Sequence, residues 1–349
     1  VKILLFSPSF GAYGGIEAFV MRLAKHLAAS PGVELRVRFK LQPGSPSEPL
    51  RALFANEGLD AACLGKWSPA LAREFGWPDL IHTQNVPPVV TLASILLGKP
   101  FVSTLHNRFL GASGPRGWLW RLGLRKAARV WFNSAFVMRS WGVDPNDRRL
   151  SVVPTVCDLD FTSQPPTTRR GFVCVSRLIE GKGVFNLLQA YKLAGLDSAA
   201  TPLAIAGDGP VRPALEAERA RLGLGHVQLP GFVSEAAKRS MIRGSRWLVT
   251  VPDVPEDMGL TPLEARAMGV PCIVSTEGGL PEVGGEEGLK SPPRDPAALA
   301  GQLRTAAMMA EADYAARAER CVPGVQAIAR PLDFYPNAYR EALGAGPLP

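Results

Sequence analysis

The sequence predicts an α/β protein built from two doubly wound parallel sheets, on three observations. Apolar runs of strand length alternate with amphipathic segments of helix length along both halves, the pattern of a mostly parallel sheet covered on both faces. The alternation breaks at Phe161-Thr-Ser-Gln-Pro-Pro-Thr-Thr-Arg-Arg170, which is polar, Pro-bearing and aperiodic, and restarts with Gly171-Phe-Val-Cys-Val-Ser176. A chain of 349 residues is long enough for two domains of ~150 residues, each with its own core. The expected division is 1–165, then 166–330, with 331–349 forming a helix that packs back on the first domain.

Lys2–Ser7 reads as the first strand, and Ile16 to Ala28 as an amphipathic helix with Phe19, Leu23 and Leu27 inward. Val33 to Phe39 alternates strictly, as a second strand does. Further strands are expected at Leu80–Thr83, Phe101–Leu105, Val130–Asn133 and Ser151–Val153. In the second half they follow at Gly171–Ser176, Leu203–Ala206, Val227–Leu229, Trp247–Val251 and Cys272–Ser275. Two such lobes imply a cleft, and ligands of open α/β sheets sit at the carboxyl ends of the strands.

Apolar and charged fractions of 46% and 20% are those of a soluble globular protein. The cysteines at 63, 157, 174, 272 and 321 have no metal-ligand spacing and read as buried free thiols of a reducing compartment. No leader is expected ahead of the first strand, and the longest apolar stretches, such as Val86 to Leu97, are too short to span a membrane. A cytoplasmic location is therefore expected, with peripheral attachment to the inner face of the membrane as an extension.

Charge is uneven. Residues 1–165 carry 19 Lys+Arg against 11 Asp+Glu, so the net excess of 19 − 11 = +8 lies there. Leu80 to Val143 contains no acid, against Lys99, Arg108, Arg116, Arg121, Arg125, Lys126, Arg129 and Arg139. Such a field attracts an anionic substrate or surface, or is simply a solvated basic face. Within it, Arg116 to Arg129 reads as a helix with Trp118, Arg121, Arg125 and Arg129 on one face and Leu119, Leu122 and Val130 toward the sheet, although Gly123 weakens it. Trp beside Arg suits an anionic membrane surface; buried tryptophans with solvated arginines are the alternative. A pI of 9.4 raises nucleic-acid binding as a rival, but no nucleic-acid motif accompanies the basic region, so nucleic acid is not an expected partner.

The most informative stretch is Glu256-Asp-Met-Gly-Leu-Thr-Pro-Leu-Glu264, two carboxylates with seven residues between them. Thr261 is expected as a helix N-cap, Pro262 at the first helical position and Gly269 past the end. Amides around Met258 to Leu260 then point out of a helix N-terminus, where a phosphate binds readily. One carboxylate ahead of that cradle and one behind it can hold the hydroxyls on either side of a diphosphate, which suits a sugar nucleotide. For Glu264 a capping box with Thr261 is an equal alternative, but it leaves Glu256 unexplained.

Gly14-Gly15, at a strand-to-helix turn, allows close backbone approach to a ligand, yet lacks the G-x-G-x-x-G dinucleotide pattern. Arg177 and Lys182 flank the loop after the first strand of the second half, where two cations suit a diphosphate. His106 ends the Phe101–Leu105 strand, and its ring is expected to emerge at the cleft rim. His82 and His26 read as structural, and His226 as a strand-edge residue. Asp158-Leu-Asp160 spells a D-x-D metal motif, but turn chemistry explains it better, and no metal site is expected.

Taken in order, these pieces resemble the family 4 glycosyltransferases, which are retaining, metal-independent enzymes of the GT-B fold. The resemblance runs over nearly the whole chain. It rests on Gly14-Gly-Ile-Glu17, Ser103-Thr-Leu-His-Asn107, Ser176-Arg-Leu-Ile-Glu-Gly-Lys-Gly183, Gly207-Asp-Gly-Pro210, the paired glutamates, Gly278-Gly-Leu-Pro-Glu282 and Ser291-Pro-Pro-Arg-Asp-Pro296. It implies two Rossmann-like domains facing across a cleft, the first binding an acceptor and the second a nucleotide-sugar donor. The implied reaction moves a sugar from that donor, UDP- favoured over GDP-, to a hydroxyl of a glycan or lipid-linked acceptor of the cell envelope, anionic in keeping with the basic region.

The implied roles are Glu264 on the ribose hydroxyls, Arg177 and Lys182 on the diphosphate, and Glu256 and His106 on the sugar. Gly14, Gly15 and the amides of Asp257, Met258, Gly259 and Leu260 would complete the phosphate cradle, and the segment from Leu229 to Val233 would border the base. No cofactor is implied. Three positions depart from the family pattern: Thr155-Val156 stands for the usual Asn-Gly, Ser176 for a common Gly, and Met258 for a frequent aromatic. Without Gly, a left-handed turn at Thr155-Val156 is not expected. A nucleotide-sugar 2-epimerase of similar two-lobed fold is the rival enzyme class.

Overall fold

The structure, a computed structural model, describes residues 1–9, 14–41, 58–64, 69–111, 113–156, 159–161 and 168–344. The chain forms two compact units, Val1–Cys157 with Ala329–Pro349, and Asp158–Ile328. The boundary thus falls before the polar stretch expected to carry it at 165/166. Asp160 already belongs to the second unit, where it pairs with Arg243 at 2.5 Å.

The first unit holds a seven-stranded parallel sheet of β1 (Lys2–Ser9), β2 (Glu34–Leu41), β3 (Ala61–Leu64), β4 (Leu80–Gln84), β5 (Phe101–Leu105), β6 (Arg129–Phe132) and β7 (Leu150–Val152). Its order is β3-β2-β1-β4-β5-β6-β7, so strand succession reverses between β1 and β4. Among the described residues its helices are α1 (Gly15–Ala28), α2 (Pro69–Gly76), α3 (Pro88–Leu97), α4 (Gly114–Lys126) and α5 (Ala135–Ser140). β4 and β5 are buried along their whole length, because helices cover both faces of the sheet and leave no solvent side to mark with polar residues.

The second unit holds a six-stranded parallel sheet of β8 (Arg170–Val175), β9 (Leu203–Ala206), β10 (Val227–Gly231), β11 (Ser245–Thr250), β12 (Cys272–Ser275) and β13 (Leu289–Ser291), in the order β10-β9-β8-β11-β12-β13. Its helices are α6 (Val184–Ala194), α7 (Arg212–Arg221), α8 (Glu235–Gly244), α9 (Leu260–Ala267), α10 (Leu280–Gly284), α11 (Pro296–Ala307) and α12 (Glu311–Ile328). Here succession reverses between β8 and β11, and such a switch point is where open α/β sheets bind ligands.

After the second unit comes α13 (Phe334–Ala342), which belongs to the first. Tyr335 and Tyr339 are buried there; the Tyr335 ring lies 5.3 Å from Trp131, and the Tyr339 hydroxyl lies 2.6 Å from His82 Nδ1. Burying a large side chain stabilises by roughly 1.5–3 kcal/mol, so two such residues tie the segment firmly to its sheet.

Three cysteines, 174, 272 and 321, are buried free thiols, and Cys63 is half-buried. Burial pushes the Cys174 and Cys321 thiols up to about 12. Cys157 lies outside the described residues.

Candidate active site

β8 and β11 run side by side, with Phe172 opposite Trp247, so the loops at their carboxyl ends leave the sheet as neighbours. The Asp253 amide donates to the Gly181 carbonyl at 2.9 Å, and Asn186 Nδ2 donates to Asp253 Oδ1 at 2.5 Å. This docking brings Lys182 Nζ within 2.5 Å of Glu256 Oε1, with both side chains only about a fifth exposed (23% and 22%). Two residues 74 apart in sequence are thus joined at the switch point.

The Gly278-Gly279 pair explains how the Glu256 loop is held. A Cβ on Gly278 would stand 2.3 Å from the Glu256 carbonyl oxygen, and one on Gly279 2.5 Å from that of Asp257. The Gly279 amide donates to the Glu256 carbonyl at 2.7 Å. Close backbone packing, which only glycine permits here, fixes the loop ahead of α9.

The start of α9 differs from the expectation. Gly259, not Thr261, is the N-cap, with φ −145° and ψ 105°, and Leu260 is the first helical residue. Gly259 is packed under Leu280 and Val283, where a Cβ would come within 2.6 Å of Leu280 Cδ2. Tertiary packing therefore outweighs the better capping chemistry of Thr261. The amides left without an intrahelical acceptor shift to Gly259, Leu260 and Thr261, since Pro262 has none. Asp257 and Met258 precede the cap in half-buried positions.

Glu264 falls outside capping-box register once Gly259 is the cap, and its Oε1 instead accepts from Lys238 Nζ on α8 at 3.0 Å. Lys238 also pairs with Glu235 at 2.8 Å. Burial raises the Glu264 pKa above the ordinary carboxylate value, and the Lys238 ammonium offsets part of that rise. Burial works against the Lys238 charge, but the two carboxylates outweigh it and hold its pKa above normal. Lys238 had not been singled out from sequence. It lies 26 residues from Glu264 on another helix, and no local pattern marks it.

Arg177 is exposed and makes no ion pair among the described residues. Its loop is tied to that after β9 by the Leu178 amide donating to the Asp208 carbonyl at 2.9 Å. In the loop assigned to the base, Leu229 leans into the core and Val233 is half-buried, whereas Phe232 is 83% exposed. Phe232, inside the expected Leu229 to Val233 segment, lies between Gly231 and the α8 N-cap Ser234 and is its most exposed apolar side chain.

In the first unit, Gly14 caps α1 and Gly15 opens it. The Gly14 amide is already engaged by Glu17 Oε2 at 3.1 Å, while Glu17 Oε1 accepts from the Ser9 hydroxyl at 2.8 Å. A buried carboxylate thus occupies part of the anion-binding potential of this helix end.

His106 does not emerge as expected. Its ring is 7% exposed, packs edge-on against Phe19 at 5.8 Å, and donates from Nε2 to Gln84 Oε1 at 2.7 Å. Asn85 Oδ1 accepts from its amide at 3.0 Å, and Asn133 Nδ2 donates to its carbonyl at 2.9 Å. Asn85 holds the left-handed conformation, φ 56°, that Asn tolerates. Among the described residues Nδ1 has no shorter contact than the Thr155 hydroxyl, 3.5 Å away. Thr155 and Val156 adopt no left-handed turn. His82 is structural, bound by Tyr339 and by Thr104 Oγ1 at 2.8 Å. Burial pushes both His82 and His106 down to about 3, with their mutual repulsion adding for His82.

Of the D-x-D pair, Asp160 is taken by Arg243, and Asp158 lies outside the described residues. The described residues contain no cluster of three potential metal ligands.

Comparison with known proteins bears on the whole chain. Residues 13–161 match the model of "Glycosyltransferase Family 4", and residues 169–308 that of "Glycosyl transferases group 1". The D-rhamnosyltransferase WbpZ of Pseudomonas aeruginosa is 29% identical over 66% of this chain, and the match spans 62% of that enzyme's length. The 2-deoxystreptamine N-acetyl-D-glucosaminyltransferase of Streptomyces fradiae is 28% identical, over 99% of this chain and 96% of its own. Among solved structures, a Rickettsia africae glycosyltransferase superposes with a TM-score of 0.78 at 19% identity, covering 98% of both chains. Anabaena Alr3699/HepE in complex with UDP gives a TM-score of 0.77 at 19% identity, over 99% of this chain and 100% of that one. The chain belongs to the family 4 glycosyltransferases and has their two-domain GT-B fold.

Proposed function

We propose that this protein transfers a sugar, with retention of configuration, from a nucleotide-sugar donor to a hydroxyl of a glycan or lipid-linked acceptor. The observation that carries the reading is the Lys182–Glu256 pair at the β8/β11 switch point, just ahead of the N-terminus of α9, with Glu264 one turn inside that helix. Lys182, Arg177 and the first amides of α9 meet the diphosphate. Glu264 takes the ribose hydroxyls with the oxygen that Lys238 leaves open, and Leu229 to Val233 border the base. Glu256 turns to the sugar once the diphosphate draws Lys182 away.

Charge grows on the diphosphate as the glycosidic bond breaks, and fixed cations and amide dipoles are the main means of stabilising it. A departing phosphate oxygen takes the acceptor proton, so no side-chain nucleophile is required. UDP is favoured as the carrier because the Anabaena neighbour was crystallised with it, and GDP is the alternative because mannosyltransferase relatives of Mycobacterium tuberculosis are GDP-mannose-dependent. The acid-free stretch from Leu80 to Val143 favours an anionic acceptor of cell-envelope synthesis, met at the inner face of the membrane. No helix among the described residues is long and apolar enough to cross a membrane.

A thermal-shift screen across nucleotide sugars identifies the donor, since a ligand that binds the native state raises apparent stability. Acceptor-dependent nucleotide release should follow, with NMR of the product showing the donor's anomeric configuration. Epimerised donor without acceptor, or an inverted product, would overturn the reading.

A further inference from the structure

One face of the first unit is built inside out. In α3 only Val90 and Thr91 are buried, whereas Leu92, Ile95 and Leu96, at i, i+3 and i+4, are 44%, 47% and 80% exposed. A stripe at this spacing ordinarily faces a core. α4 packs directly on this helix: a Cβ on Gly123 would stand 2.6 Å from Thr91 Oγ1, so the missing side chain is what lets the two helices touch. On α4, Trp118 is 63% exposed, which excludes the reading in which it is simply buried.

Of the cations of α4, Arg116 lies over the Trp120 ring at 4.9 Å and Arg121 over the Phe109 ring at 6.0 Å. Arg121, Arg125 and Lys126 are exposed and have no carboxylate partner among the described residues, in keeping with the absence of acid from Leu80 to Val143. The sequence-based helix is corrected in one respect. α4 ends at Lys126, and Arg129 and Val130 belong to β6, where Arg129 lies 3.9 Å from Glu341.

We propose that the α3–α4 face docks on an anionic phospholipid surface, with Leu92, Ile95, Leu96 and Trp118 entering the boundary between head groups and acyl chains while Arg121 and Arg125 meet lipid phosphates. Exposed aliphatic and Trp side chains beside unpaired cations are the composition of an interfacial surface. A second copy of the chain fits poorly, because a symmetric contact would press the same acid-free cations together. Nucleic acid fits poorly as well, because its phosphates offer nothing to the leucines. The inference is independent of the donor site.

The test is co-sedimentation of the full chain with vesicles of phosphatidylcholine alone and of phosphatidylcholine with phosphatidylglycerol. Binding is expected only to the mixture and should weaken with salt. Arg121→Glu/Arg125→Glu should lower it by roughly thirtyfold or more, from the worth of each basic residue near an anionic membrane. Leu96→Glu should lower it by roughly tenfold or more, from the lost apolar burial. Both variants should keep the wild-type melting temperature and donor hydrolysis. Equal binding to both vesicles, no binding to either, or indifference to both substitutions overturns the proposal. So does concentration-dependent dimerisation that Leu96→Glu abolishes while vesicle binding is absent.

Discussion

Lys182 Nζ stands 2.5 Å from Glu256 Oε1, so the cation assigned to the diphosphate and the carboxylate assigned to the sugar hold each other. The pair keeps both groups aimed in a partly shielded site. On the proposed reading, donor binding would be an exchange: the diphosphate would take the ammonium, and the carboxylate would be released toward sugar hydroxyls. Fixed groups that need no reorientation during bond cleavage are the most effective stabilisers of developing charge.

Glu264 can serve as a diol acceptor only when ionised, and burial has raised its pKa. Acidification should therefore weaken donor binding at a higher pH than an ordinary carboxylate would. Lys238→Met removes the offsetting ammonium and should move that limb further up in pH, while leaving kcat at high pH close to wild type. Donor KM measured against pH for both proteins decides it; coincident profiles would remove Lys238 and Glu264 from the donor site.

His82 and His106 are buried and neutral, with pKa values of about 3. Unfolding lets each return to ~6.5, so below that pH the unfolded chain binds more protons than the folded one. The stability from keeping them neutral is complete above about pH 6.5 and is lost as pH falls toward 3, by roughly 1.4 kcal/mol per pH unit for each histidine. The urea midpoint should drop markedly between pH 7 and pH 5. The drop should be smaller in His82→Gln, which keeps a polar group without the titration. An unchanged pH slope in that variant would contradict the assignment.

Transfer should not require a metal. On the proposed reading, Lys182, Arg177 and the first amides of α9 would together offset the diphosphate charge that a divalent ion offsets in other enzymes. Activity should survive excess EDTA. Loss in EDTA with recovery on adding manganese would contradict this and return attention to Asp158 and Asp160.

Strands with both faces covered were legible in the sequence because they are short segments dominated by apolar residues, as in Phe101–Leu105 and Cys272–Ser275. β3 and β13 were not. Ala61-Ala-Cys-Leu64 and Leu289-Lys-Ser291 are short, lack β-branched and aromatic residues, and form the edges of their sheets. Lys182, Glu256 and Glu264 were legible as chemistry, but Lys238 was not, since only the fold places α8 beside α9. The N-cap was misplaced because Leu280 and Val283 bury Gly259, and His106 because Gln84 and Phe19 enclose its ring. Each of these misses is a tertiary contact overriding a sound local preference.

The central claim is most directly tested by single-turnover kinetics of Lys182→Ala alongside its unfolding curve. Removing one donor aimed at developing charge costs ~3–4 kcal/mol of barrier, so kcat should fall by roughly a hundred- to a thousandfold. A partly exposed ion pair contributes only about 1 kcal/mol or less to folding, so stability should barely move. A folded Lys182→Ala protein that turns over at close to the wild-type rate would contradict the account.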